Sequence, residues 1–506
     1  MFIRIQSTQG DLGTIKFTGI IPQWNEEALG IEWDNPTRGK NNGCVGGVNY
    51  FDVCVEGAGS FIKKSSKKVS LIKKSFVEQL NSKYASEYQE LEISFGSKTT
   101  ETLGFEKLSK LQADFSNLGV VSLSRCLVGL VGNFKTIAPQ LCHLHTLDLS
   151  FNLLELLEDV WSIVDSLSIK SLNLSGNRFE NRKLTSKEHT VPVESVTELN
   201  LTSTLVSSSQ MSQILAKFPN LNSLAIADNH YSSDDVETIF TNKKLNQKLK
   251  KIDLSGNVLK TVPDVVMSFE EVNLGYNMIQ DLSSIAKWAP ISKLRTVDVR
   301  KNELRRWSDL DILYMLDLED LRINGNPLFA EMSVEDMTEQ MVARLHCGPG
   351  HLMKLNGAVL TESEISNAEL YFTLKVRQNE IKEVNLKGPS WQRLAQKYGI
   401  EDVLHFEKKK ESHLAALLLP LRVLVTLNGV ETVLERAFLR NTSIMSVQGF
   451  VSGMMGVSAL RVKLSYIVNE SDVESEPIVS YCEDSFALLD SLGLEAGNTL
   501  HAKIKE

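Results

Sequence analysis

Cysteine is scarce in this chain. Six occur in 506 residues, Cys44, Cys54, Cys126, Cys142, Cys347 and Cys482, and no two are spaced as a C-x-x-C pair. That scatter argues against a disulfide framework and suits a reducing compartment. Asn-x-Ser/Thr sites such as Asn173-Leu-Ser therefore carry little weight as glycosylation acceptors. Long apolar runs are missing too. The most apolar stretch, "LAALLLPLRVLVTL" at 414–427, contains Pro420 and Arg422 and falls short of the roughly 18 residues that cross a bilayer. The opening "MFIRIQSTQG" has no apolar segment of the kind a secretory signal needs. Excess positive charge is absent: 54 Lys+Arg against 63 Asp+Glu leaves −9, which argues against a general nucleic-acid binder. Catalytic signatures are absent as well. There is no G-x-S-x-G elbow. Gly39-Lys40 is not a phosphate loop, because Asp34 stands where the first glycine belongs and Asn41 where Ser/Thr belongs. "HCGPGH" (His346, Cys347, His351) lacks a second ligand pair and reads as a capping loop. No catalytic residue, metal or cofactor is expected.

What is present is a repeat. "LHTLDLSFN" (144–152), "IKSLNLSGN" (169–177), "LNSLAIADN" (221–229), "LKKIDLSGN" (249–257), "FEEVNLGYN" (269–277), "LRTVDVRKN" (294–302) and "LEDLRINGN" (318–326) each fit L-x-x-L-x-L-x-x-N. "LGVVSLSRC" (118–126) and "VTELNLTST" (196–204) are degenerate copies, and successive steps run from 20 to 28 residues. This is a leucine-rich repeat. The Leu-x-Leu pair points to one side of a short strand. The Asn side chain can satisfy backbone groups where the chain leaves the strand. Stacked copies bury one apolar column that a single copy could not. Stretches such as "SSSQMSQILAKF" (207–218) read as intervening helices. The residues between the leucines face the hollow of the solenoid. One such column reads Asp148, Asn173, Asn200, Ala225, Asp253, Asn273, Asp298, Arg322, and its neighbour carries Thr146, Ser171, Glu198, Ser223, Lys251, Glu271, Thr296 and Asp320. A polar hollow of this kind is expected to hold a protein partner.

Ahead of the repeats, "GTIKFTG", "LGIEWD", "NYFDVCV" and "GSFIKKS" alternate like strands of a small all-β module. "RGKNNGCVGGVNYF" (38–51) interrupts them. Gly39 and Gly43 permit unusual backbone angles there, and Lys40 and Asn41 stand out as donors. "GKNNG", "GVNYF" and "GSFIK" resemble the CAP-Gly domain over residues 8–68. The resemblance implies that the module binds the acidic, aromatic-ended C-terminal tail of α-tubulin and similar tails. Lys40 and Asn41 would hold the terminal carboxylate region, Phe61 would line an apolar slot, and Lys63 would attract acidic side chains. Asn42 stands where that family usually has Asp. Ala28 stands where many members have a slot-lining Trp, with Trp24 four residues earlier. The six lysines of "KKSSKKVSLIKK" (63–74) read as a solvated strand edge and linker, or as an electrostatic guide for an acidic partner.

After the repeats, 356–412 is charged and helix-prone, with Pro389 as a break, and reads as a solenoid cap and helical linker. Then "LRVLVTLNG" and "ETVLERAFL" read as a hairpin, "TSIMSVQGFVSGMM" as a helix capped by Thr442 or Ser443, and "LRVKLSYIV" and the end of the chain as strands. The pattern resembles a ubiquitin-like domain. The chain ends in "HAKIKE" without Gly-Gly, so a docking module is expected rather than covalent attachment.

The expected architecture is multidomain: an all-β CAP-Gly module (1–75), an α/β leucine-rich-repeat solenoid (85–350), a cap and helical linker (351–418) and an α+β ubiquitin-like domain (419–506). That order resembles the tubulin-folding cofactor E family. The resemblance implies a chaperone that binds α-tubulin by tail and body. With other tubulin cofactors it would assemble or dissociate the α/β heterodimer. It also implies a cytoplasmic, cytoskeleton-associated protein without nucleic-acid or membrane partners, with ubiquitin-receptor or proteasomal proteins as further partners. The alternatives are a microtubule-associated scaffold and a ubiquitin-pathway adaptor.

Overall fold

A computed structural model describes the chain except residues 1, 23, 25, 86–92, 96–97, 101–104, 182–190, 242–247, 265–268, 288–292, 347–350, 401–417, 428, 469–477, 483 and 505–506. "LHFEKKKES" and Cys347 lie outside the described residues. The chain divides into two compact units, Met1–Leu360 and Thr361–Glu506.

The first unit begins with strands β1 (Ile3–Ser7), β2 (Leu12–Ile20) and β3 (Glu27–Trp33). They form an antiparallel sheet in the order Gly59–Lys63, β3, β2, β1, Val69–Ser70. Its inward side chains, Ile5, Ile15, Leu29, Ile31 and Trp33, make a small core. Only Val48–Asn49 is strand within the "NYFDVCV" neighbourhood. The rest of that stretch is loop, because its aromatics turn onto the sheet instead of joining it.

Nine three-residue strands follow at the nine repeat positions, from Val120–Ser122 to Asp320–Arg322. They pair in parallel with unbroken register, as in Leu147 opposite Leu172 opposite Leu199. The asparagines form the expected ladder. Asn257 donates to the carbonyls of Ile226 and Leu254 and accepts from the N–H groups of Asn229 and Tyr231. Where Thr204 replaces Asn, its hydroxyl donates to Leu201 and Asn229 reaches back to the Thr204 and Leu205 amides. Ser208–Lys217 is helical, with Ser207 as N-cap. A hairpin, Lys354–Leu355 and Ala358–Val359, closes the sheet.

The first module is locked to the repeats, and this corrects the reading of 63–74 as a linker. Lys74–Ser75 pairs with Val128–Leu130, and helix α1 (Phe76–Tyr84), capped by Ser75, sets Phe76 against Phe134 at 5.4 Å. Three residues separate Ser70 from Lys74, and Lys73 is ion-paired to Glu155 at 2.6 Å. Glu155 also accepts from the Arg4 amide. The Arg4 side chain, fully buried, forks onto Asp34 at 2.6 and 2.5 Å and donates to Thr14. Arg178 of the repeats lies 3.9 Å from the same carboxylate.

In the second unit, residues 430–439, 418–427, 499–504, 462–468 and 478–481 form a five-stranded sheet in that order. Residues 418–427 and 499–504 are parallel and the other pairs antiparallel. Alternation puts Leu419, Leu421, Val423 and Val425 inward against Ile444, Val447 and Val451 of the helix Ile444–Met455. Helices Glu362–Arg377 and Pro389–Lys397 belong to this unit. Pro389 starts a helix rather than breaking one, since the first helical position needs no N–H. Glu369, fully buried, holds the pair together through Arg393 at 3.2 Å, Lys397 and the Tyr398 hydroxyl.

Candidate functional site: an aromatic slot beside a lysine loop

Four aromatic rings converge at one end of the first sheet. Phe61 lies 5.7 Å from Tyr50, 5.3 Å from Phe51 and 6.4 Å from Phe17. Phe51 is buried, while Phe17, Tyr50 and Phe61 stay half-exposed and line a slot. The motif singled out Phe61 alone. Phe17 reaches the slot by facing outward from β2, and Tyr50 by the turn of the loop, so neither partnership is a local sequence signal.

The loop beside the slot is clamped by backbone bonds. The amides of Lys40 and Asn41 donate to the Gly59 carbonyl at 2.7 and 3.0 Å, and Gly59 returns a bond to Asn41 at 2.8 Å. Gly39 has ordinary extended angles, contrary to expectation. Its requirement is space, since a Cβ there would sit 1.9 Å from the Gly57 carbonyl. Gly43 needs both conditions, a φ of +86° and room, for a Cβ would meet the Phe51 carbonyl at 1.8 Å. Gly43→Ala is therefore expected to displace Phe51 and abolish slot binding. Chemical-shift changes confined to 38–61, with binding lost, would be the signature.

The four candidate residues differ in availability. Lys40 is exposed and has no ion pair among the described residues. The Asn41 side-chain oxygen is engaged by the Gly43 amide, leaving its NH₂ to donate. Lys63 pairs with Glu26 at 2.9 Å. Hydrogen bonds from Ser65 and Lys63 hold the Glu26 carboxyl below its usual range, so Lys63 reaches an incoming carboxylate only by exchange. Asn42 accepts from the Gly57 amide, so its amide oxygen supplies the acceptor a carboxylate would. Ala28 is fully buried opposite Lys63, and Trp24 is half-buried beside the Ile21 turn.

The hollow of the solenoid is largely self-satisfied. Asp148, Asn173, Asn200, Asp253, Asn273 and Asp298 each accept the backbone N–H two residues ahead at 2.9–3.1 Å. These are Asx turns that end the strands, and only the second oxygen or the NH₂ faces outward. Lys251 pairs with Glu271 at 2.7 Å and Arg295 with Glu319 at 3.2 Å, rung to rung. Burial pushes the Asp298 carboxyl up despite the bonds from Arg300. Arg322 is exposed. The His346 and His351 rings stack 6.0 Å apart. Among the described residues no group of three His, Cys, Asp or Glu is placed to hold a metal ion, and no helix is long and apolar enough to cross a membrane.

Known proteins resemble the chain over most of its length. The CAP-Gly domain profile matches residues 3–67. Protein PAC2 of Saccharomyces cerevisiae is 25% identical over 96% of this chain and 94% of its own length. Tubulin-specific chaperone E of Bos taurus is 27% identical over 90% of each chain, and that of Homo sapiens 26% identical over 90% of each. Such matches run through the slot, the repeats and the C-terminal sheet alike. Over nine-tenths of its length or more, the chain is similar to protein PAC2 and to the tubulin-specific chaperone E proteins.

Proposed function

We propose that this protein is a tubulin-specific chaperone that grips α-tubulin at two places and, with other tubulin cofactors, assembles or dissociates the α/β heterodimer. The observation that carries the reading is the open aromatic slot next to unpaired Lys40, fixed to a repeat solenoid in a chain collinear with its relatives. An acidic tail ending in an aromatic ring suits the slot. The ring enters between Phe17, Tyr50 and Phe61, and Lys40 and the Asn41 NH₂ meet the terminal carboxylate through charge-assisted bonds. The solenoid takes the folded body. Because the module is docked rather than tethered, the second contact follows the first without the ordering cost a flexible linker would carry.

The module boundary in this reading falls between Ser70 and Lys74, earlier than the composition suggests. The protein works without catalytic residues, in the cytoplasm and on cytoskeletal clients. The C-terminal sheet serves as a docking module for ubiquitin-receptor or proteasomal proteins.

Purified tubulin dimer tests the proposal directly: mixing should yield a soluble complex and reduce polymer. Co-pelleting with intact microtubules would instead favour a scaffold. Lys40→Ala should weaken binding of a tail peptide about tenfold, the loss of one charge-assisted bond. Lys63→Ala should do less, since Glu26 already holds that ammonium. Anisotropy of a labelled peptide measures both, and unchanged affinity for Lys40→Ala would count against the slot.

A further inference from the structure

The residue before each ladder position, which is Asn in seven repeats and Cys126 or Thr204 in two, adopts a left-handed backbone. Arg125, Phe151, Gly176, Ser203, Asp228, Gly256, Tyr276, Lys301 and Gly325 all have φ between +49° and +76°. Their amides continue the sheet ladder from repeat to repeat, as in Tyr276 to the Arg300 carbonyl and Lys301 to that of Asn324. Three of the nine, Gly176, Gly256 and Gly325, are glycine, which meets no steric cost at such angles. Two bulky aromatics there are strained and exposed at once, Phe151 at 36% and Tyr276 more so at 49%. Strain retained at an exposed position points to a role outside the fold.

Tyr276 does not stand alone. Lys301 lies 4.9 Å and Arg300 5.7 Å from its ring, and Val258 and Met278, which follow successive ladder asparagines, are exposed beside it. Lys260 and Lys301 are exposed cations with no ion pair among the described residues. In a chain of net charge −9, this is a local positive, apolar-centred patch. It also continues an interface already in use. The first module sits on the same edge of the early repeats, through Leu127, Glu155 and Arg178, and Arg178 occupies the repeat position of Val258 and Met278. Beyond the module, Val258, Tyr276 and Met278 are exposed.

We propose that this edge, centred on Tyr276 and Lys301, docks an acidic surface of the folded client body. The hollow of the solenoid, already satisfied by Asx turns and cross-rung ion pairs, is then the lesser contact. The assignment rests on the tubulin reading above.

The test uses the full chain and tubulin dimer stripped of its C-terminal tails. Tyr276→Gly installs the residue that three other repeats carry at this position, so its melting temperature should be equal or higher. Tyr276→Gly with Lys301→Glu should bind the stripped dimer at least tenfold more weakly, with a shallower salt dependence, while tail-peptide affinity stays unchanged. Stripped dimer bound as tightly by the double variant as by the parent would overturn the edge and leave the tubulin reading standing. Failure of the unsubstituted chain to bind both intact and stripped dimer would overturn the tubulin reading and this surface with it.

Discussion

Asp34→Ala should cost the first unit about 3–5 kcal/mol, the range for breaking one side of a buried ion pair, and should free the first module from the repeats. The Arg4 guanidinium that Asp34 pairs is fully buried, and its Nε has no partner. Alanine would leave that cation with Thr14 alone and would remove the only carboxylate within reach of Arg178 among the described ion pairs. Burial pushes the Asp34 carboxyl up, but the charge and hydrogen bonds of Arg4, with help from Arg178, outweigh it and hold the group below its ordinary value. A carboxyl depressed in the folded state stabilises fully above the unfolded aspartate value of about 4. That contribution is lost as pH falls through the folded value. The parent should therefore weaken in acid through this group, and Asp34→Ala should lack that component. Urea denaturation at neutral and acid pH, with hydrogen exchange of β1 and the Lys74 amide, would show it. Exchange at Lys74 as slow in the variant as in the parent would mean that the lock lies elsewhere.

This lock was invisible in the sequence for a physical reason. Lys73 and Lys74 look like the rest of a lysine-rich stretch, and composition assigns such stretches to solvent. What distinguishes them is a partner far along the chain: Glu155 for one and the Leu127 carbonyl for the other. The repeats were legible down to the degenerate copies at Val120–Ser122 and Glu198–Asn200, because each leucine and asparagine acts within its own repeat or on an adjacent one. The lysine loop was legible as a loop. The reason for Gly39 was not, since crowding by the Gly57 carbonyl depends on a turn 18 residues away. The hollow-face acids were legible as polar but not as Asx turns, although acceptor and donor lie only two residues apart. Polarity alone does not separate a residue serving a ligand from one serving its own backbone.

Asn152→Ala should be as damaging as the loss of Asp34, about 3–5 kcal/mol, at roughly 1–3 kcal/mol for each buried backbone group left unpaired. Asn152 is fully buried. Its side-chain oxygen accepts from the amides of Cys126 and Val128, and its NH₂ donates to the carbonyls of Leu123 and Leu149. The Leu149 carbonyl keeps Asn177 as a second donor, so the loss concentrates on the two amides and on Leu123. Val128 also opens the short strand that pairs with Lys74–Ser75. Loosening its amide should therefore weaken the seat of the first module as well as one rung of the solenoid. Thr204 shows what a hydroxyl can do at this position: it keeps the bond to the carbonyl three residues back. Asn152→Thr should accordingly fall between alanine and the parent. Urea midpoints of the three proteins, with exchange of the Val128 amide, would order them. An alanine variant within about 0.5 kcal/mol of the parent, the range of an ordinary surface change, would show that water replaces the asparagine and that the ladder is not what holds the module's seat.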